Sequence, residues 1–211
     1  MPPQMVNAYY NPPMNEIVFP AAILQPPFFN LEADDAINYG AIGGVIGHEL
    51  SHGFDDQGSR SDGDGMLRNW WTEADLSAFK ARGAALVSQY ESFEPLPGQK
   101  VNGSLTLGEN IGDLGGLTIA WFAWKRSLEG EDSPTLAGFS GAQRFFLGWA
   151  QVWACKYRDN ELQRRLATDP HSPAIYRVLG VVPNHVGFYE AFGLKEGDVL
   201  YRPATDRVEI W

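Results

Sequence analysis

The sequence predicts a mainly helical α+β domain. Three observations carry that expectation. Strand-like segments are confined to the N-terminal end, the rest of the chain repeats apolar residues at helical spacing between polar caps, and 44% of the 211 residues are hydrophobic against 20% charged. A chain of this length can enclose one sizeable core, so a single domain over residues 1–211 is expected. The net charge of −10 argues against nucleic acid or an anionic membrane surface as the main partner. No apolar run is long enough to span a bilayer, and the start, Met1-Pro2-Pro3-Gln4, lacks the basic-then-apolar pattern of a secretion signal. Cys155 is the only cysteine, which excludes an internal disulfide and a thiolate metal site; it reads as a small buried hydrophobe rather than a reactive thiol.

Taken in order, residues 6–10 and 16–19 read as two short strands interrupted by Asn11-Pro12-Pro13, and Pro26-Pro27 ends a further apolar stretch over 21–24. Residues 34–53 form one long apolar helix, capped by Asp34 or Asp35 and stopped by Gly53. A loop rich in Asp, Gly and Ser follows over 55–69. Its Asp62-Gly63-Asp64-Gly65 lacks the spacing of a calcium loop and reads as a polar turn. Thr72 caps an amphipathic helix reaching Tyr90, with Trp70 and Trp71 before it as expected core anchors. Asn102-Gly103 marks a turn. A second apolar helix spans 107–128, a loop 129–138, an aromatic helix 139–158 and a short helix 160–167, which Asp169-Pro170 breaks. Asn184 is the expected cap of a last helix through Phe192.

The chemistry concentrates in the first long helix, at His48-Glu49-Leu50-Ser51-His52. Histidines four apart share a helical face, so one zinc ion can accept both imidazoles. Glu49, beside the first, can reach a water on that metal as general base. A catalytic zinc site needs a third protein ligand and an open position. Glu109 and Asp113 open the second apolar helix four residues apart, where charged groups need partners. Glu109 as third ligand and Asp113 as acceptor of a ligand histidine's free N–H would satisfy both. Acidity at a helix start, favoured by the helix dipole, is the plainer reading of the two carboxylates. Among the other polar residues, His171 could donate to a tetrahedral oxyanion and Arg177 could hold a substrate carbonyl or carboxylate. His185 reads as an ordinary surface residue, and Asn7-Ala8 on the first strand could pair with an extended peptide.

Together these residues resemble the neprilysin and endothelin-converting-enzyme family of zinc metallopeptidases. Val6-Asn7-Ala8-Tyr9-Tyr10 is similar to its Asn-Ala-aromatic strand, and residues 47–56 to its extended zinc motif. Gly108-Glu109-Asn110-Ile111-Gly112-Asp113 is similar to its third-ligand helix, and His171-Ser172-Pro173 with Arg177 and the terminal Trp211 to its C-terminal signature. The resemblance implies a thermolysin-like zinc peptidase catalytic domain with one Zn2+ per chain on His48, His52 and Glu109. Glu49 would then activate water. Asp113 would orient a histidine and is often described as a proton donor. His171 would steady the oxyanion, while Asn7, Ala8 and Arg177 would bind the substrate backbone. Val45, Val152 and Trp153 would line the pocket for the residue after the cut.

By the same resemblance the reaction is cleavage of short peptides on the amino side of bulky hydrophobic residues. Members are much longer, with an N-terminal region that closes over the site. The chain therefore reads as the C-terminal catalytic part, with the N-terminal lid region as a missing partner and an exposed apolar face where that region packs. Lack of cysteine pairs points to a bacterial member, and the resemblance implies the periplasm or another extracytoplasmic space. Two other readings stay open: a zinc-stabilised peptide-binding fragment that is inactive without its N-terminal region, and a helical domain whose histidines bind no metal.

Overall fold

Prolines at 12 and 13 force the first extended segment to turn back on itself. β1 (Tyr9–Asn11) therefore pairs antiparallel with β2 (Glu16–Val18), Tyr9 lying opposite Val18. The computed structural model describes residues 1–211, and this hairpin is its only sheet. Residues 6–8 fall outside the paired ladder, so the first strand begins later than predicted.

The helix expected over 34–53 is one unbroken helical run that changes hydrogen-bond register along its length. Asp34 caps α1 (Asp35–Asn38) by accepting from the Ala36 amide. A π-helical turn, Tyr39–Gly43, leads into α2 (Gly44–Ser51), and a 3-10 turn, His52–Phe54, ends the run. α3 (Glu73–Glu91) begins at Thr72, whose hydroxyl accepts from the Asp75 amide as predicted. α4 (Leu107–Ser127) is the predicted second apolar helix. α5 (Gly141–Val152) starts in a reciprocal Ser140–Gln143 capping box and stops well short of residue 158. α6 (Asp159–Thr168) matches its expected position. α7 (Ala174–Leu179) was not anticipated, because six residues are too few to display a helical period. α8 (Val186–Phe192) closes on Gly193 in the left-handed region, φ 64°.

α2 crosses α4 at backbone contact. A methyl group on Gly47 would strike the carbonyl of Gly116, and one on Gly116 would strike the His48 amide. Around this crossing lies the main core, with Leu86, Ile111, Leu117, Phe145 and Trp149 fully buried. No helix is long and apolar enough to cross a membrane. An exposed apolar face exists. Leu50, Phe54, Ile119, Phe122, Val186 and Trp211 border one groove of about 690 Å³ behind α2 and α4.

Four residues in this framework sit otherwise than predicted. Cys155 is exposed, because α5 ends before reaching it. Trp71 packs on Phe79 and Trp211, but Trp70, stacked on Trp71 at 4.6 Å, remains 42% exposed, so only one of the pair is an anchor. His185, read as a surface residue, is buried edge-on to Trp121 and Phe146. It, not Asn184, caps α8, accepting from the Gly187 amide at 3.1 Å. Asn184 instead donates to Gln89 and Gly180 and accepts from the Val208 amide, tying the C-terminal segment to α3 and α7.

Burial lowers the pKa of His185 from 6.5 to about 4. Below 6.5 the unfolded chain takes up a proton that the folded chain refuses, so stability is full above that pH and drains away as pH falls toward 4. Between pH 7 and 5 this group should cost about 2 kcal/mol. Urea unfolding of His185→Asn, which keeps a capping acceptor, should show a correspondingly smaller loss over that interval. At the crossing, Gly116→Ala should lower stability by about 1–3 kcal/mol, read from the same unfolding midpoints.

Candidate metal centre and cleft

α2 carries His48 and Glu49, His52 opens the 3-10 turn that continues it, and the helical pitch brings the two imidazoles edge to face with centroids 4.5 Å apart. The glycine-lined crossing brings the first turn of α4 against them. Gly112 is needed here for its absence of bulk, since a Cβ at that position would lie 2.7 Å from His48 Nδ1. Glu109 Oε2 then stands 3.1 Å from His48 Nε2 and 3.8 Å from His52 Nε2. One donor atom from each of the three residues falls within 4.8 Å of the others.

Glu109 Oε2 is buried yet has no hydrogen-bond partner. A buried carboxylate oxygen left unpaired between two imidazole nitrogens is the arrangement a cation would satisfy. Two nitrogens and one oxygen, open to a cleft on the fourth side, suit zinc. Burial opposes the charge on Glu109, but His48, His171 and Arg177 outweigh it and hold the carboxyl well below the usual range. For His48, burial favours the neutral ring, yet Asp113 and Glu109 raise its pKa to about 9. A metal must displace that proton, so loading weakens toward acid pH.

Each of the three imidazoles in the cleft turns Nδ1 to a carboxylate. His48 meets Asp113 Oδ1 at 2.9 Å, as foreseen. His52 meets Asp55 Oδ2 at 2.8 Å, and His171 meets Asp169 Oδ1 at 2.8 Å. Neither of the last two carboxylates was assigned this part from the sequence. Their signal is short spacing, three residues after His52 and two before His171. These contacts favour the Nδ1–H tautomer and leave Nε2 facing the cleft. Asp55 Oδ1 also accepts from the Gln57 and Gly58 amides, so that carboxylate is fixed from both sides.

Arg177, on α7, reaches Asp113 through both Nε and Nη2 and lies 3.8 Å over the Trp153 ring. Burial alone would favour a neutral Asp113, but Arg177 and His48 keep its carboxyl below the usual range. Arg177 Nη1 makes no hydrogen bond within the protein. Ser172 Oγ donates to Asn110 at 2.7 Å, pinning the His171 loop to α4. His171 Nε2 lies 3.3 Å from Glu109 Oε2.

The cleft has a volume of about 650 Å³. Asn7, Ala8, Glu49, His171 and Arg177 all line it together with the three donor residues, while Asp113, fully buried behind His48, does not reach it. Of the three expected pocket residues, Val45 and Trp153 line it. Val152 does not; its side chain packs on the main core. Glu49 is nearly buried, and that burial raises its pKa against the opposing charges of His48 and His52.

Residues 7–208 match the model of "Peptidase family M13". The chain is 46% identical over 215 residues to human endothelin-converting enzyme 1, covering all of this chain and 27% of the relative. It is 45% identical over 195 residues to Neprilysin-11 of Caenorhabditis elegans, covering 90% of this chain and 23% of that protein. Among solved structures, zinc metalloprotease ZMP1 of Mycobacterium tuberculosis in complex with an inhibitor superposes with a TM-score of 0.97 at 57% identity, over 99% of this chain and 33% of that one. PEPO of Lactobacillus rhamnosis superposes at 0.89 and 40% identity, over 100% and 32%. The chain thus spans between 23% and 33% of the length of these proteins.

Asp55 provides a test of how the imidazoles are held. Asp55→Asn keeps an acceptor for the two turn amides but removes the charge behind His52. Zinc affinity, measured by competition with a chromogenic chelator, should fall about 10–100-fold while the urea midpoint moves little.

Proposed function

The chain belongs to peptidase family M13, and on that premise we propose that residues 1–211 form the catalytic domain of a zinc-dependent endopeptidase. Its substrates are short peptides, cut on the amino side of bulky hydrophobic residues. The observation that carries the proposal is the unpaired Glu109 Oε2 between two imidazoles, with a nearly buried Glu49 beside them in one cleft.

In this reading His48, His52 and Glu109 hold the zinc. What the metal supplies when bound is Lewis acidity toward a water and toward the scissile carbonyl. Glu49 takes the attacking water's proton and passes it to the departing amine. Burial helps, because a carboxylate raised from its ordinary pKa is a better match for both transfers near neutral pH. His171 presents Nε2 to the carbonyl oxygen as charge builds there. Asn7 and Ala8, beside the hairpin, bind the substrate's main chain, and Arg177 offers its free Nη1 to a substrate carbonyl. Ile23, Phe28, Val45 and Trp153 give the cleft an apolar lining, which supports the preference for a hydrophobic residue after the cut.

The domain's proposed partner is the remainder of a family-length chain, acting as lid, in an extracytoplasmic setting. One observation favours a second reading. The chain spans only 27% of a full-length relative, so this piece alone could bind zinc and peptide without cutting.

A mixed peptide library incubated with the chain, followed by mass spectrometry, separates the two. Chelator-sensitive cuts before apolar residues are expected, with Glu49→Gln retaining zinc but losing at least about 100-fold in rate. Bound zinc and bound peptide with no cuts by the unsubstituted chain would support the binding fragment instead. Cleavage that persists after the zinc is removed would overturn both.

A further inference from the structure

His171 differs from the two ligand histidines in what holds it. His48 and His52 ride on consecutive helical turns, but His171 sits in the irregular connection between α6 and α7 with a side chain 44% exposed. Its orientation rests on Asp169, whose Oδ1 accepts from both the His171 amide, at 2.9 Å, and Nδ1, at 2.8 Å. The other oxygen of that carboxylate is also engaged. Arg165 Nη1 donates to Asp169 Oδ2 at 2.7 Å, while Arg165 Nε donates to Glu161 Oε1 at 3.0 Å. The guanidinium lies 4.8 Å over the Tyr157 ring. Residues 161, 165 and 169 are four apart, so the row runs along one face of α6 and off its C-terminal end to the cleft.

We propose that Arg165 is a positioning residue for the reaction assigned above, acting through Asp169 on the ring of His171. A carboxylate bound through one oxygen can swing about its own axis and carry its partner with it. Anchoring the second oxygen to a planar donor that is itself fixed by Glu161 and Tyr157 removes that freedom. The ring of His171 is thereby held with Nε2 toward Glu109, where a substrate carbonyl would meet it. Part-exposed ion pairs at this spacing add little to global stability. The consequence falls on preorganisation of the cleft, not on the fold.

This inference rests on the peptidase reading, and the test separates the two. Arg165→Met keeps the length of the side chain and removes its donors. With only four histidines in the chain, ring nitrogens labelled with 15N report His171 individually. In the zinc-loaded variant the His171 signals should shift and its Nδ1 proton should exchange faster with water, while those of His48, His52 and His185 stay in place. On a peptide that the unsubstituted chain cleaves, kcat should fall about tenfold with KM and zinc content unchanged. Arg165→Lys should recover part of the loss, and Arg165→Met should have no further effect in a His171→Gln background. Unmoved His171 signals with unchanged kcat, or an equal loss in the His171→Gln background, would overturn the role of Arg165. If the unsubstituted chain cleaves nothing, the peptidase reading fails for this chain, and the nitrogen signals alone decide whether Arg165 holds His171.

Discussion

The backbone contact between α2 and α4 is the constraint on which the rest of the site depends. Gly47 and Gly116 let the helices meet without side chains between them, and Gly112 leaves the space that the His48 ring occupies. Only at that separation can Glu109 and Asp113, one turn apart on α4, reach opposite nitrogens of His48. A wider crossing would strand these three titratable groups in an apolar interior, each with a large desolvation cost. The small residues that look like weak points for helix formation are what allow the charges to pair.

Behind that contact the cleft repeats one device three times: a carboxylate on Nδ1 of an imidazole whose Nε2 faces the open space. The three supports differ in depth. Asp113 is wholly buried and needs Arg177 to keep its charge, so this pair couples α4 to α7. Asp55 is fixed by two turn amides. Asp169 lies nearest solvent and leans on an arginine from the outer face of α6. The same rule therefore spans tertiary burial, local turn geometry and a surface ion-pair row, and tolerance to substitution should rise in that order.

The cleft and the apolar groove lie on different sides of the α2–α4 layer. His48, Glu49 and His52 look into one; Leu50, Ser51 and Phe54 look into the other. One short helix thus serves two surfaces, which explains its nearly unbroken apolar character. A helix that buried only one face would show a polar stripe, and α2 has none outside the zinc motif.

The sequence by itself determined what is local or chemically specific. The spacing of His48 and His52, the acidic pair four apart at the start of α4, the caps at Asp34 and Thr72 and the mainly helical class were all legible, because each depends on residues within a turn or two of one another. So was the family, through four ordered motifs matched over residues 7–208. Tertiary structure decided what depends on distant neighbours. Burial of His185 between Trp121 and Phe146, exposure of Cys155 beyond a helix that stops early and the turning of Val152 into the core are set by packing partners remote in the chain. The π turn before α2 and the six-residue α7 carry too little periodicity to announce themselves. The supporting roles of Asp55, Asp169 and Arg177 were also hidden. A carboxylate or guanidinium on a polar loop or short helix looks the same in sequence whether it faces water or an imidazole, and only the fold brings the imidazole to it.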